Sequence, residues 1–184
     1  VEYNVQRSTR NTDLDEAPSR RNYVFLSAGT GVYTGNMGDG GSIGRRLTLP
    51  TDIGYGHWFS SLSGIQVALG NTLVPSPNLG SKTLTALRAD YMMNLKSAVT
   101  GEPSDDELVQ FTGLLGAQVA VSTKEHRTPN YAPGLHAAMQ AGLRVSPRVE
   151  LYLEPSATLS TKNLEAPHWC NPAEVELRLS VGSK

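Results

Sequence analysis

The sequence predicts an all-β fold, an eight-stranded antiparallel up-and-down transmembrane β-barrel, and three observations support this prediction. Apolar and polar residues alternate: in segment 135–145, Leu135 and Met139 share one face while His136 and Gln140 share the other. This period of two is that of a β-strand with one apolar face. The alternating segments are as long as strands that cross a bilayer, and short connections alternate with longer ones, as in outer-membrane barrels.

Eight segments of the chain carry this alternation, each with aliphatic residues at every second position. They span residues 23–34, 46–59, 62–73, 84–95, 109–121, 135–145, 148–160 and 174–182. Soluble sheets usually have strands of about five or six residues, so the length of these segments favours a membrane barrel. The polar face carries ionisable residues, which a barrel places inside, while its apolar face meets lipid.

The connections predict the topology and the domain organisation. Ser60-Ser61 and Ser146-Pro147 are minimal turns. The longer connections span 36–45, 74–83, 123–134 and 161–173. Connection 96–108 breaks the alternation, because it is an acidic loop with a proline on the side of the short turns. Residues 1–21 are polar and aperiodic, so we expect a periplasmic tail at 1–21 and a barrel at 22–184.

Composition excludes several classes of protein. The 184 residues carry a net charge of −1, and basic residues do not cluster with aromatic ones, so nucleic acid is not an expected partner. The mean hydropathy of −0.28 excludes a helical membrane bundle but fits a barrel, in which only alternate residues are apolar. No apolar run approaches the about 20 residues that a membrane helix requires.

Aromatic residues near the strand ends predict a girdle at the periplasmic interface. The residues assigned to it are Tyr23, Phe25, Trp58, Phe59 and Tyr91. High β-propensity is the simpler explanation of aromatic residues in strands, and it stays open at this point.

Charged residues on the polar face predict a salt-bridged barrel interior. The predicted interior network consists of Arg88, Asp90, Arg144, Arg148, Glu150, Glu154, Glu176 and Arg178. An eight-stranded barrel is only wide enough for side chains to fill it, and isolated charges there are costly, so we expect paired charges and a plugged lumen. A gated ion or proton path through the same network is the alternative.

Other candidate chemistries are weaker. His136 faces inward and would belong to a Ser-His-acid set in a lipid-modifying enzyme, but no nucleophile motif is present. Segment 38–42 lacks the G-K-[ST] of a phosphate loop, and 105–107 lacks the spaced ligands of a calcium loop. The remaining histidines and the single Cys170 show no zinc spacing. We therefore predict no catalytic residues, no cofactor and no metal.

Three sequence elements match the motifs of one known family of membrane barrels. The family's R-L, aspartate and G-K-W-F elements match Arg46, Leu47, Asp52, Gly56, Trp58 and Phe59. Its D-x-M-x-N-L strand matches Asp90, Met92, Asn94 and Leu95. Its G-x-Y-x-G-x-x-G-D element matches Gly31, Tyr33, Gly35, Gly38 and Asp39.

With these three elements the chain resembles Bacteroidetes-type outer-membrane β-barrel proteins. The resemblance covers about residues 22–182 and implies a barrel akin to the membrane domain of outer membrane protein A. The sequence departs from the family at His57, where a lysine is expected, and at 181–184, where the usual final aromatic residue is missing. Some small barrels of the family accompany envelope machines, including the type IX secretion apparatus, so the resemblance implies an accessory role of that kind.

The leading functional hypothesis is a non-enzymatic, integral outer-membrane barrel that anchors or scaffolds envelope partners. We expect the lipid bilayer as one partner, and periplasmic or outer-membrane proteins that bind residues 1–21 and 96–108 as others. Three alternatives remain open: a narrow pore or carrier for a small solute, a soluble lipocalin-like barrel with its apolar residues inside, and a lipid-modifying hydrolase that uses His136.

Overall fold

In the computed structural model, the chain forms a closed barrel of eight antiparallel strands. Each strand pairs with its neighbours in sequence, and the last strand closes onto the first. The structure describes residues 22–34, 47–74, 82–103, 108–122, 130–146, 148–160 and 174–184. The predicted tail 1–21 and most of each predicted long connection lie outside these residues. The predicted fold class is confirmed.

In the described residues, eight strands and one helix follow one another in chain order. They are β1 (Asn22–Thr34), β2 (Leu47–Trp58), β3 (Ser63–Val74), β4 (Lys82–Asn94), α1 (Leu95–Thr100), β5 (Val109–Ser122), β6 (Asn130–Ser146), β7 (Val149–Ser160) and β8 (Glu174–Ser183). All eight predicted segments are therefore strands, and most of their ends lie within two residues of the prediction.

Only β6 differs in length from its predicted segment by more than two residues. The prediction began β6 at residue 135, whereas the strand begins at Asn130. The extension includes Pro133, although a proline has no N–H to donate and usually marks an edge strand or a loop. In the barrel Pro133 nevertheless holds its place in the register, opposite Val119 of β5.

The two ends of the barrel differ, and we name them by their connections. The turn end carries the tight turn 59–62, the turn between β6 and β7, and α1. In the first turn the Ser60 hydroxyl accepts hydrogen bonds from the backbone N–H groups of Leu62 and Ser63. Ser146 does the same in the second turn, for the N–H groups of Arg148 and Val149. The opposite end is the loop end.

Connection 96–108 is not wholly irregular, because it starts with the helix α1. The Asn94 side chain accepts hydrogen bonds from the N–H groups of Lys96 and Ser97, at 3.1 and 3.2 Å, and so caps the helix. Gly101 ends it with a φ of 69° and donates its N–H to the Ser97 carbonyl. Both capping signals are visible in the sequence, but the prediction did not use them.

Side chains alternate strictly between the two faces of the barrel wall. In β7, for example, Leu151 and Leu153 are exposed on the outside while Glu150, Tyr152 and Glu154 are buried inside. This orientation is the opposite of a soluble lipocalin-like barrel, whose apolar residues line the interior. The lipocalin-like alternative is therefore wrong.

Candidate functional site: the lipid-facing wall and the barrel lumen

The outer surface of the barrel is a continuous apolar belt to which all eight strands contribute. Large apolar side chains, most of them about half exposed, include Val24, Leu26, Leu49, Ile53, Val67, Leu69, Leu87, Leu115, Val119, Leu135, Met139, Leu151, Leu153, Leu177 and Leu179. Exposed apolar patches on soluble monomers rarely exceed a few hundred Å². A belt that encircles the whole barrel therefore requires an apolar solvent, which is the hydrocarbon of a bilayer.

The predicted girdle needs correction at Tyr23 and Phe25, because both side chains point into the lumen. Phe25 is only 2% exposed, and Tyr23 is half-buried and packs against it. The reason is the strand period: Val24 and Leu26 occupy the lipid-facing positions of β1, so their neighbours must face inward.

The outward aromatic residues near the turn end are partly those predicted. Phe59 and Tyr91 are exposed on the outer surface. Tyr55 and Phe111, which the prediction omitted, are exposed on the same surface near the same end. Trp58 is only half-buried and occupies an inward position of β2, so its assignment to the girdle is wrong.

Polar groups fix the rim of this belt beside β1. The side-chain oxygen Oδ1 of Asn22 accepts hydrogen bonds from the Tyr55 hydroxyl at 2.5 Å and from His57 Nδ1 at 2.7 Å. The His57 ring lies edge-on to Phe59, with centroids 5.3 Å apart. Residues at a membrane interface typically place an aromatic ring in the apolar layer and hydrogen-bond its polar end at the rim.

Inside the barrel, the turn end is filled by aromatic rings. We call Tyr23, Phe25 and Tyr152 the aromatic cluster. The Phe25 ring lies 6.2 Å from that of Tyr23 and 6.4 Å from that of Tyr152, the latter edge-on at 71°. A Cβ atom added at Gly56 would collide with the Tyr23 ring, and one at Gly182 would meet the Tyr152 ring. Each glycine is the cross-strand partner of its ring, Gly56 of Tyr23 and Gly182 of Tyr152, and so makes room for that ring inside the narrow lumen.

Polar atoms surround the aromatic cluster. The Tyr23 hydroxyl donates to Gln66 Oε1 at 2.8 Å and lies 2.8 Å from Met92 Sδ. Lys184 Nζ lies over the rings of Tyr23 and Tyr152, at 5.3 and 5.6 Å from their centroids. This ammonium group is therefore stabilised by two aromatic faces.

Lys184 also links the aromatic cluster to the neighbouring carboxylates. Its Nζ lies 3.2 Å from Glu150 Oε1 and donates to Gln140 Oε1 at 3.1 Å. Its backbone exchanges two hydrogen bonds with Glu150, which fixes the position of the side chain. Gln140 in turn donates to Glu154 Oε2 at 2.6 Å.

From Glu154 towards the loop end, the lumen is filled by charges. We call Asp52, Arg88, Asp90, Glu154, Glu176 and Arg178 the ion-pair ladder; each of these side chains is buried. Arg88 is its centre. Its Nε lies 2.9 Å from Asp90 Oδ2, as an ion pair rather than a well-aligned hydrogen bond, and its terminal nitrogens lie 3.7 Å from Asp52 and 3.9 Å from Glu154.

Arg178 continues the ladder. One of its terminal nitrogens lies 2.7 Å from Glu176 Oε2 and donates to Thr72 Oγ1 at 2.9 Å, while the other lies 4.0 Å from Asp52. Thr48 donates to the second oxygen of Glu176. Asp52 thus lies between the two guanidinium groups, and one chain of polar contacts runs from Lys184 to Thr48.

His136 belongs to the same network. It is 1% exposed, and its Nδ1 lies 2.9 Å from Asp90 Oδ1, so Asp90 lies between this imidazole and Arg88. His136 thus faces inward, as its position in the alternation of β6 requires.

Two members of the predicted interior network are less buried than the other six. Arg148 is exposed in the turn before β7, so its assignment to the interior is wrong. Its position fits the inward-facing alternation of β7, but the strand begins one residue later, at Val149. Arg144 is only half-buried and lies opposite Glu150 in the register of β6 and β7. The structure places the other six predicted residues inside the barrel.

Sequence reasoning missed two charged residues of the lumen. Asp52 lies on the inward face of β2, with Thr48 and Pro50, and this period was visible in the sequence. The prediction used Asp52 only as part of a family motif. Lys184 follows the last strand, where the period of two no longer decides the direction of a side chain.

The described part of the chain offers neither a cluster of metal-ligating side chains nor a membrane-spanning helix. Within these ranges, no group of three or more histidine, cysteine, aspartate and glutamate side chains is arranged to hold a metal ion. In the same part of the chain, no helix is both long and apolar enough to cross a membrane.

Comparison with known proteins shows the fold but no family. No family model matches the chain, and no curated protein matches it. Among solved structures, the chain is similar to Neisserial surface protein A, with 15% identity over 88% of this chain and 95% of the other, and a TM-score of 0.55. It is also similar to Ail, the attachment invasion locus protein of Yersinia pestis, with 12% identity over 91% and 99% of the two chains and a TM-score of 0.52.

The fold is that of an outer-membrane β-barrel. At identities this low the similarity extends no further than the fold, so the Bacteroidetes-type resemblance stays a prediction. The barrel itself supplies the second argument, because its apolar belt faces outward and its charges are enclosed. The chain is therefore an integral outer-membrane protein, and the lipid bilayer is its first partner.

Proposed function

We propose that this barrel is a non-enzymatic anchor or scaffold of the outer membrane, which holds envelope partners through segments at its turn end. One observation carries the proposal: the lumen is filled from Lys184 to Thr48 by side chains in contact with one another. A solute or a substrate could enter such an interior only if these contacts separated. The outer wall is covered by lipid, which leaves the segments at the two ends for partners.

The short turns of bacterial outer-membrane barrels face the periplasm, so the turn end is the periplasmic side in this proposal. Residues 1–21 precede β1 at that end, and connection 96–108 leaves β4 there. These two segments are the proposed sites for periplasmic or outer-membrane protein partners. The sequence resemblance extends the proposal to an accessory of a secretion machine such as the type IX system.

Photo-crosslinking tests the partner sites. A photoreactive amino acid replaces Glu102, which is exposed at the turn end, or a residue within 1–21, and a matched control places it at the lipid-facing Leu69. We expect discrete protein adducts from Glu102 and from the tail in intact cells, and none from Leu69. Adducts restricted to lipid at all three positions would contradict the scaffold role.

Conductance separates the scaffold from the narrow pore. The ion-pair ladder would have to separate before any ion could pass, so we expect planar bilayers containing the barrel to stay silent at physiological salt. Persistent single-channel openings would contradict the sealed lumen and favour the pore.

The hydrolase alternative depends on His136, which is enclosed in the lumen beside Asp90. Lipid substrates lie outside the wall, so the imidazole has no path to an ester bond. We expect the His136→Ala variant to leave the ester content of the surrounding phospholipids unchanged relative to the unmodified barrel. Lipid hydrolysis by the unmodified barrel that this substitution abolishes would contradict a non-enzymatic role.

The anchoring part of the proposal has its own test. Leu87 lies near the middle of β4 and faces lipid, so Leu87→Arg should lower the free energy of unfolding by about 2–4 kcal/mol. The control Val145→Arg, on the same surface but near the turn end, should cost about 0–1 kcal/mol, as expected near the interface. Urea unfolding from phospholipid vesicles measures both, and equal costs would contradict this depth assignment.

A further inference from the structure

The connection that starts with α1 carries apolar side chains that are exposed in the described part of the chain. Val99 is 86% exposed, the highest value among the exposed large hydrophobic residues of the described chain. Leu108, where the chain rejoins the barrel before β5, is 65% exposed. These residues lie at the turn end, beside the lipid-facing surface.

The start of α1, directly after β4, lies next to the lipid-facing surface. A Cβ atom added at Gly113 would lie 3.1 Å from Leu95 Cδ2, so the Leu95 side chain lies over this glycine. Gly113 occupies an outward position of β5, between Phe111 and Leu115, which are both exposed to lipid. The helix therefore starts on the outer face of the wall and not over the lumen.

The apolar surface is continuous from the strands onto the helix. Tyr91 and Met93 near the end of β4, and Val109 and Phe111 near the start of β5, are exposed on the outer wall on either side of α1. Ser97 is fully buried and faces the barrel, whereas Lys96 is exposed. A short apolar surface with a lysine at its edge, next to an aromatic belt, fits the boundary between acyl chains and headgroups.

We propose that α1 is a membrane-interface element, seated in the headgroup region of the leaflet at the turn end, with Leu95 and Val99 against the first methylenes of the acyl chains. Lys96 is then placed to reach the phosphates of anionic lipids. This inference does not depend on the scaffold role; it narrows the partner site in connection 96–108 to the residues after the helix.

Site-directed fluorescence tests the proposal. In a Cys170→Ser background, Val99→Cys is labelled with an environment-sensitive nitrobenzoxadiazole dye, and the barrel is folded into vesicles of phosphatidylethanolamine and phosphatidylglycerol. The matched control is the same dye at Arg148→Cys, which is exposed in the other turn of the same end. We expect blue-shifted emission at position 99, and quenching by shallow nitroxide lipids at least threefold stronger than at position 148.

Two outcomes would overturn the proposal. Water-like emission at position 99, with iodide quenching equal to that at position 148, would show that the helix lies in solvent. Protection from iodide that occurs in cell envelopes but not in pure lipid vesicles would show that a protein covers α1. Labelling at the exposed Ala98 repeats the measurement if the dye at position 99 prevents folding, which heat-modifiable migration on gels reports.

Discussion

The two halves of the lumen are filled by different physical means. At the turn end, the aromatic cluster packs ring against ring, and glycines opposite the rings make the space. From Glu154 towards the loop end, the ion-pair ladder fills the same narrow width with charges, each placed against an opposite one. The fit of the rings stabilises the turn-end half, and the pairing of opposite charges stabilises the other half. Substitutions should therefore have different consequences in the two halves.

The largest effect is expected in the ladder. Arg88→Met removes the guanidinium group that faces Asp52, Asp90 and Glu154, and leaves the buried carboxylates of Asp90 and Glu154 without their guanidinium partner, while Asp52 keeps Arg178. The expected loss is about 3–5 kcal/mol in the free energy of unfolding, measured by urea titration in phospholipid vesicles.

Its control is Arg148→Met, the same substitution in an exposed turn, which should change stability by less than about 0.5 kcal/mol. Adding Asp90→Asn to Arg88→Met should recover part of the loss, because one uncompensated charge is removed. Equal losses for Arg88→Met and Arg148→Met would show that pairing does not stabilise this half of the lumen.

An intermediate effect is expected in the aromatic cluster. Gly56→Ala adds a methyl group where the Tyr23 ring lies, so the ring has to move, at a cost of about 1–3 kcal/mol. Since no charge changes, this is a test of shape alone. The same urea titration measures it.

A double-mutant cycle with Tyr23→Ala separates this collision from a backbone effect. If the ring is the obstacle, Gly56→Ala should cost clearly less in the Tyr23→Ala background than in the unmodified barrel. Additive losses would place the strain in the backbone and remove the argument that glycines make room for rings.

The sequence predicted the wall of the barrel better than its contents. Every strand was predicted, because each strand turns one face to a polar lumen and the other to lipid. This requirement makes every second residue of the strand apolar, a pattern that the sequence shows directly. The same alternation predicts the direction of the Phe25 side chain, because its neighbours Val24 and Leu26 take the lipid-facing positions. The girdle hypothesis nevertheless assigned Phe25 to the outer surface.

The contacts inside the lumen could not be predicted in the same way. Alternation gives the direction of Asp52 and Arg88 but not their pairing, which depends on the register of β2 through β4 and on the depth of each residue. Lys184 follows the last strand, and its contact with Glu150 depends on backbone hydrogen bonds to β7. Which side chains meet inside a closed barrel depends on the arrangement of several strands, so the sequence of one strand says little about it.

The smallest effect concerns a single hydroxyl where packing and polarity meet. Tyr23→Phe keeps the ring in the aromatic cluster but removes the donor that Gln66 Oε1 accepts at 2.8 Å. We expect a loss of about 0.5–1.5 kcal/mol in urea unfolding, the usual net value of one hydrogen bond. Tyr55→Phe is the matched control, because its hydroxyl bonds Asn22 at the exposed rim, where water replaces the lost partner. A smaller loss at Tyr23 than at Tyr55 would mean that ring packing alone holds this half of the lumen.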